Sequence, residues 1–176
     1  MRLLTFFIYF GVLTAHAQRY ETATGDISFF SEASIEDISA INSHCSGFVN
    51  LESGEVQFSV KISEFEFEKS LMKQHFNEKY MESELYPSAS FSGIISDVNP
   101  ATQTEKKVSV NGTLTIHGQS NKVMILGLMT QSGNNLHITS TFTVRLADYK
   151  IKIPKLLWQE ITEEVEVKVD FDMTRN

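Results

Sequence analysis

Apolar and polar residues alternate with period two along most of the chain. In Glu55–Ile62, Val56, Phe58, Val60 and Ile62 share one face, and Gln57, Ser59 and Lys61 the other. Phe65 and Phe67 continue the rhythm between Glu64, Glu66 and Glu68. Val108, Val110, Gly112, Leu114 and Ile116 form a second row, and Phe142, Val144 and Leu146 a third. In the last row Val165, Val167, Val169 and Phe171 alternate with Glu166, Lys168, Asp170 and Asp172. Strands with one dry and one wet face belong to antiparallel sheets. Turn signals at Ser53-Gly54, Asn99–Thr102, Gly118–Asn121 and Ser132–Asn135 punctuate these runs. Without a strand–helix–strand rhythm, the pattern predicts a sandwich or barrel. Ser34 could cap a short helical turn through Ile35, Ile38 and Ile41, with a plain connecting loop as the alternative.

One segment leaves this rhythm. Within Phe67–Gly93, Leu71, Met72, His75, Phe76, Lys79 and Tyr80 recur at spacings of three and four. They predict a helix that Pro87 stops, since Pro biases Tyr86 to an extended conformation. A helix this short is marginal alone. It must be held by burying Leu71, Met72, Phe76 and Tyr80 on the sheet. The pattern as a whole predicts a mainly β, antiparallel fold with one amphipathic helix at mid-chain, set as a flap over a barrel or curled sheet.

The first residues read differently from the rest. Met1-Arg2, the apolar run Leu3–Leu13 and the small-x-small pattern Ala15-His16-Ala17 predict an export signal cleaved after Ala17. One domain over 18–176 is then expected, destined for the periplasm or the medium. The run is too short to span a bilayer as a stable helix, so no stable membrane anchor is expected. Cleavage removes Arg2 and takes the formal charge from −7 to −8. A chain so acidic repels phosphate backbones, which excludes non-specific nucleic-acid binding. The lone Cys45 forms no internal disulfide, so the domain stands on its core. It reads as a small buried apolar residue.

The helical segment also resembles a known family. Leu71-Met72, His75-Phe76-Asn77-Glu78, Tyr80-Met81-Glu82-Ser83, Tyr86-Pro87, Ala89 and Phe91 carry the resemblance, and Val110-Asn111-Gly112-Thr113-Leu114-Thr115-Ile116-His117-Gly118 continues it. The closing strand Glu163–Asp172 fits as well. These stretches resemble the YceI-like domain family of exported lipid- or polyisoprenoid-binding proteins. Two departures stand out: Gln119-Ser120-Asn121 replaces the family's usual turn, and Gly25–Ala33 lacks its His-Ser start. The resemblance implies a lipocalin-like β-barrel with the helix beside or across its mouth. It also implies an apolar lipid partner, an isoprenoid above all, and no other cofactor. A homodimer is left open.

Candidate cavity residues are Phe58, Phe65, Phe67, Leu71, Met72, Phe76, Phe91, Leu114, Ile116, Phe142 and Trp158. For each alone, plain core packing is the competing explanation. The whole barrel could equally be filled by its own Phe and Met side chains, which would make it a structural or interaction module. His75 and His117 invite a metal or catalytic reading, with Glu78 one turn after His75. A third ligand at defined spacing is missing, so structural hydrogen bonds are the expectation for both. No nucleophile elbow, zinc-protease, phosphate-loop or paired-cysteine motif occurs, and the chain does not read as an enzyme.

Overall fold

The structure is a computed structural model and describes residues 19–32, 37–96, 105–153 and 163–176. The expected leader over 1–17, the Ser34 cap, the Asn99–Thr102 turn and Trp158 lie outside the described residues. The strands are β1 (Arg19–Ser31), β2 (Ile38–Asn50), β3 (Glu55–Lys61), β4 (Glu66–Phe67), β5 (Ser88–Ser96), β6 (Lys106–Ile116), β7 (Gln119–Ser132), β8 (Asn135–Arg145) and β9 (Glu164–Arg175), with helix α1 at Ser70–His75. Among the described residues, eight strands run antiparallel around a barrel in the order β1-β2-β3-β5-β6-β7-β8-β9. β1 pairs with both β2 and β9, which closes the ring. β4 is a short addition to the edge of β2, through Ala40↔Phe67 and Ile41↔Glu66.

The four apolar rows read from the sequence point inward. Two regions were read differently. Ile38–Ser43 is not helical but opens β2. Its buried positions are Ala40 and Asn42 in the first half and Cys45 and Val49 in the second, so the inward phase slips by one residue. β1 slips with it at Gly25, between the pairs Thr22↔Gly47 and Ile27↔Asn42. Bulges of this kind sharpen the local twist and help a sheet close. The second revision concerns Gly118–Asn121. The turn is only His117-Gly118, with Ile116 already paired to Gln119. Both turn residues take positive φ, +50° and +68°, as a type I′ hairpin requires.

The two ends of the barrel differ. Where β1 begins and β2 and β9 end, Tyr20, Val49, Leu51, Leu136, Phe171 and Met173 are all buried and form a floor. Gln131 Nε2 donates to the Tyr20 hydroxyl at 2.8 Å, so the polar tip of this floor residue is satisfied. At the other end the chain leaves β3 through a 3₁₀ turn at Ile62–Glu64, pairs briefly as β4, and crosses as α1. The helix tightens no further after His75. It widens into a π turn at Phe76–Tyr80, where Met81 N donates to Phe76 O at 2.9 Å.

The ladder between β7 and β8 is shorter than its neighbours. It runs from Gly127↔Ser140 to Ser132↔Asn135, whereas β6–β7 and β8–β9 pair along nearly their whole length. Beyond Gly127, Ser140 Oγ donates to Leu126 O at 2.7 Å in place of a ladder bond. Asn121 Nδ2 donates to Asp148 O at 2.8 Å farther on.

β2 and β3 approach so closely at Gly47 that an added Cβ would overlap the Gln57 carbonyl and lie 2.9 Å from Phe58 Cα. Both obstacles are backbone, so neither can turn aside. Gly47→Ala is therefore expected to destabilise the barrel by at least about 2 kcal/mol in chemical denaturation. An unchanged midpoint would contradict this packing.

Candidate functional site

The inward rows enclose a cavity of about 620 Å³, within the range of small-ligand sites. The exposure pattern along the rows shows where it lies. In β9, Val165, Phe171 and Met173 are buried while Val167 and Val169 between them are only half-buried. Phe58, Phe91, Val110 and Phe142 behave in the same way. These side chains point inward yet keep accessible surface, because part of each faces the cavity; the Phe58 ring also packs on Phe171, 4.6 Å between centroids. The wall is almost wholly apolar, and its polar side chains are few: Ser31, Ser59, Lys69, His75, Ser90, Tyr80 and Ser140.

Ten of the eleven candidate residues lie on this wall: Phe58, Phe65, Phe67, Leu71, Met72, Phe76, Phe91, Leu114, Ile116 and Phe142. The eleventh, Trp158, is outside the described residues. Sequence reasoning missed Cys45, Ile27 and Phe29, which also line the cavity. The phase slip in β1 and β2 hid their inward direction. Leu71 needs a correction. It was expected to be buried against the sheet, but it is 60 % exposed. Of the described residues on the wall, only Leu71 and Lys69 are exposed, so the cavity opens where α1 begins.

Phe76 holds the flap down. Its ring stacks on Phe29 at 5.4 Å between centroids and meets Phe67 at 5.0 Å and Phe65 at 5.7 Å. Such pairs each add about 0.5–1.5 kcal/mol beyond area burial. Tyr80 follows one turn later, and burial raises the pKa of its phenol. The far end of the flap is fixed by polar contacts. His117 is buried, with Nε2 2.8 Å from Glu82 Oε2 and Nδ1 3.2 Å from the Tyr149 carbonyl. A carbonyl oxygen can only accept, so the hydrogen bond to Tyr149 places an N–H on Nδ1. Tyr86 packs its ring 4.3 Å from the His117 ring. A Cβ on Gly118 would come within 2.6 Å of Tyr86 Cε1, so glycine is required there for contact as well as for φ.

A family model for the YceI-like domain matches residues 9–173. The chain belongs to the YceI-like domain family. No curated protein matches it. Solved structures agree on the fold. A polyisoprenoid-binding domain from Saccharophagus degradans, implicated in plant cell wall breakdown, superposes with a TM-score of 0.79 at 16% identity, covering 91% of this chain and 99% of that one. BcnA of Burkholderia cenocepacia gives 0.63 at 15% identity, with 86% and 96% covered. The YceI protein of Campylobacter jejuni gives 0.59 at 11% identity, with 100% and 99% covered.

The YceI-like motifs noted in the sequence now have a physical role. Glu82 and Tyr86 meet His117-Gly118 and tie the flap to the β6–β7 hairpin, while the Pro87 carbonyl accepts from Ile62 N at 2.9 Å. His117 is off the cavity wall while His75 is on it, so the two histidines do not share a cleft. Among the described residues, no group of three or more His, Cys, Asp or Glu is placed to hold a metal ion. His137 instead pairs across the outer face with Asp172 at 2.9 Å.

Cys45 is buried among apolar neighbours, which pushes its thiol up to about 12 despite a backbone hydrogen bond at Ser59 that pulls the other way. Only about one thiol in 10⁴ would be thiolate at pH 8, and the thiolate is the reactive form. Ellman's reagent at pH 8 should therefore leave the folded protein unmodified and titrate one thiol after denaturation. Fast reaction of the folded chain would show that Cys45 is not buried as described.

Replacing His117 by Ala should cost about 1–3 kcal/mol, because the Tyr149 carbonyl loses its donor and Glu82 its partner. The measurement is thermal or chemical unfolding of the variant beside the parent.

Proposed function

We propose that this chain is an exported binding protein that holds an apolar lipid, most simply a polyisoprenoid, inside its barrel for storage or transport, and that it performs no catalysis. The apolar cavity of about 620 Å³ carries this reading. A barrel serving only as an interaction module would fill its centre with its own Phe and Met side chains. Here Phe58, Phe91 and Phe142 stand around the centre without closing it. Family membership and the polyisoprenoid-binding neighbour support the choice of ligand class. Cleavage after Ala17 and a periplasmic or secreted destination belong to the same proposal. Among the described residues, no helix is long and apolar enough to cross a membrane.

The energetics suit a chain-like guest. Each buried CH₂ contributes about 0.8 kcal/mol, so a five-carbon isoprene unit gains roughly 3–4 kcal/mol at most. Ordering a flexible chain opposes this gain, which leaves selectivity to the length that fits. The ten described candidates are proposed as the contact surface. Phe58, Phe91 and Phe142 surround the guest, while Leu71, Met72 and Phe76 cover it from the flap.

The test is direct. Protein purified from its native host is extracted with organic solvent and the extract read by mass spectrometry, and uptake of added polyprenol is measured alongside. A copurifying isoprenoid, or saturable uptake, is expected. Val169→Phe places a ring in the middle of the lumen, away from the floor, and should fold normally while losing about tenfold or more in uptake. A protein that yields no lipid and takes up none would sink the proposal.

A further inference from the structure

The end of the lumen away from the flap is closed in a particular way. Of the buried floor residues, Phe171 lines the cavity, while Tyr20, Val49, Leu51, Leu136 and Met173 do not reach its wall. Phe171 springs from β9, and its ring lies 4.6 Å from that of Phe58 on β3, centroid to centroid. In the closed ring of strands, β1 and β2 stand between β9 and β3. The two rings meet across them because both strands lack a side chain at the crossing. A Cβ on Gly25 of β1 would overlap the Phe171 ring, and a Cβ on Gly47 of β2 would overlap the Phe58 ring. Gly25 pairs with Cys45, two positions before Gly47, so the two glycines are neighbours across the ladder. Each gives its inward space to a ring from elsewhere in the barrel. The joined rings form a bar across the bottom of the lumen.

The space above the bar is finite. At roughly 30 Å³ for each non-hydrogen atom, the share a water molecule takes in its liquid, 620 Å³ holds about 20 such atoms. Resting on the lipid-binding reading above, we infer that the Phe58–Phe171 pair is the stop that sets the length of the guest, and that the guest is an apolar chain of about 20 carbons, roughly four isoprene units. Each unit up to that length leaves water as it enters and tightens binding. A further unit has nowhere to go but the mouth, beside the exposed Leu71, and stays in water. The other rings of the wall narrow the tube; this pair ends it.

A series of prenols, each one isoprene unit longer than the last, tests the stop. Geraniol, farnesol, geranylgeraniol and geranylfarnesol are compared by displacement of the fluorescent fatty acid cis-parinaric acid. In the parent protein each step as far as geranylgeraniol should tighten binding by about tenfold or more, and the step to geranylfarnesol by less than about twofold. Phe171→Ala takes away a phenyl ring, which is about the size of one further isoprene unit. In that variant the last step should tighten binding by about fivefold or more. Phe58→Ala opens the same bar from the other side, at a residue that is only half-buried, and should act in the same direction. Phe142→Leu, on the wall nearer the mouth, should weaken the whole series and leave the last step flat. Circular dichroism checks that each variant is folded. If the parent shows no break or shows it at another prenol, or if the folded bar variants keep the parent's break, the stop is overturned while the lipid-binding reading stands. If no prenol displaces the probe, both are overturned.

Discussion

Everything in this molecule depends on the double pairing of β1, which meets β2 on one side and β9 on the other. A sheet that closes has no free edge strand to protect, even though the β7–β8 ladder stops at Gly127↔Ser140. Stability can then come from the ring of hydrogen bonds and from the apolar floor. The middle is freed from the task of holding the structure together. That is the physical condition for a lumen in a chain of this size with no internal disulfide. Closure in turn depends on local departures from regular strand. The slip at Gly25 bends β1, and Gly47 lets two backbones come closer than any side chain would allow.

Much of this was legible in the residues. The rows from Val56, Val108, Phe142 and Val165 keep strict alternation because one face is dry from end to end, and each proved to be a barrel wall. β1 and β2 were not legible for a definable reason. Asn42 occupies an inward position and satisfies itself, donating from Nδ2 to Lys61 O at 3.0 Å and accepting from His44 N at 2.8 Å. A polar residue inside, followed at once by a phase slip, erases the period-two signal on which a strand reading relies. The same slip concealed Cys45, Ile27 and Phe29. β7 was obscured in another way. Val123, Met124, Ile125 and Leu126 are apolar on both faces, with Met124 and Leu126 exposed outward.

The flap shows how far a helical pattern can be trusted. Spacing correctly grouped Met72, Phe76 and Tyr80 on one side, but it could not tell a packed core from a cavity wall. That distinction decides Leu71, which sits at the opening and not beneath the helix. Nor could spacing reveal that regular helix ends at His75 and gives way to a wider turn. Family resemblance contributed what periodicity could not: the paired importance of the Tyr80–Pro87 stretch and the His117-Gly118 turn. Their contact through Glu82, Tyr86 and His117 secures the cover from outside the lumen, while Tyr80 and Met81 of the same stretch reach the cavity wall.

The sealed floor has a consequence for access. Among the described residues the lumen is closed where β1 begins and is reached beside Lys69 and Leu71. Exchange between the interior and solvent therefore runs past the first turn of α1, and the ring of strands can stay still while the short helix sets its pace.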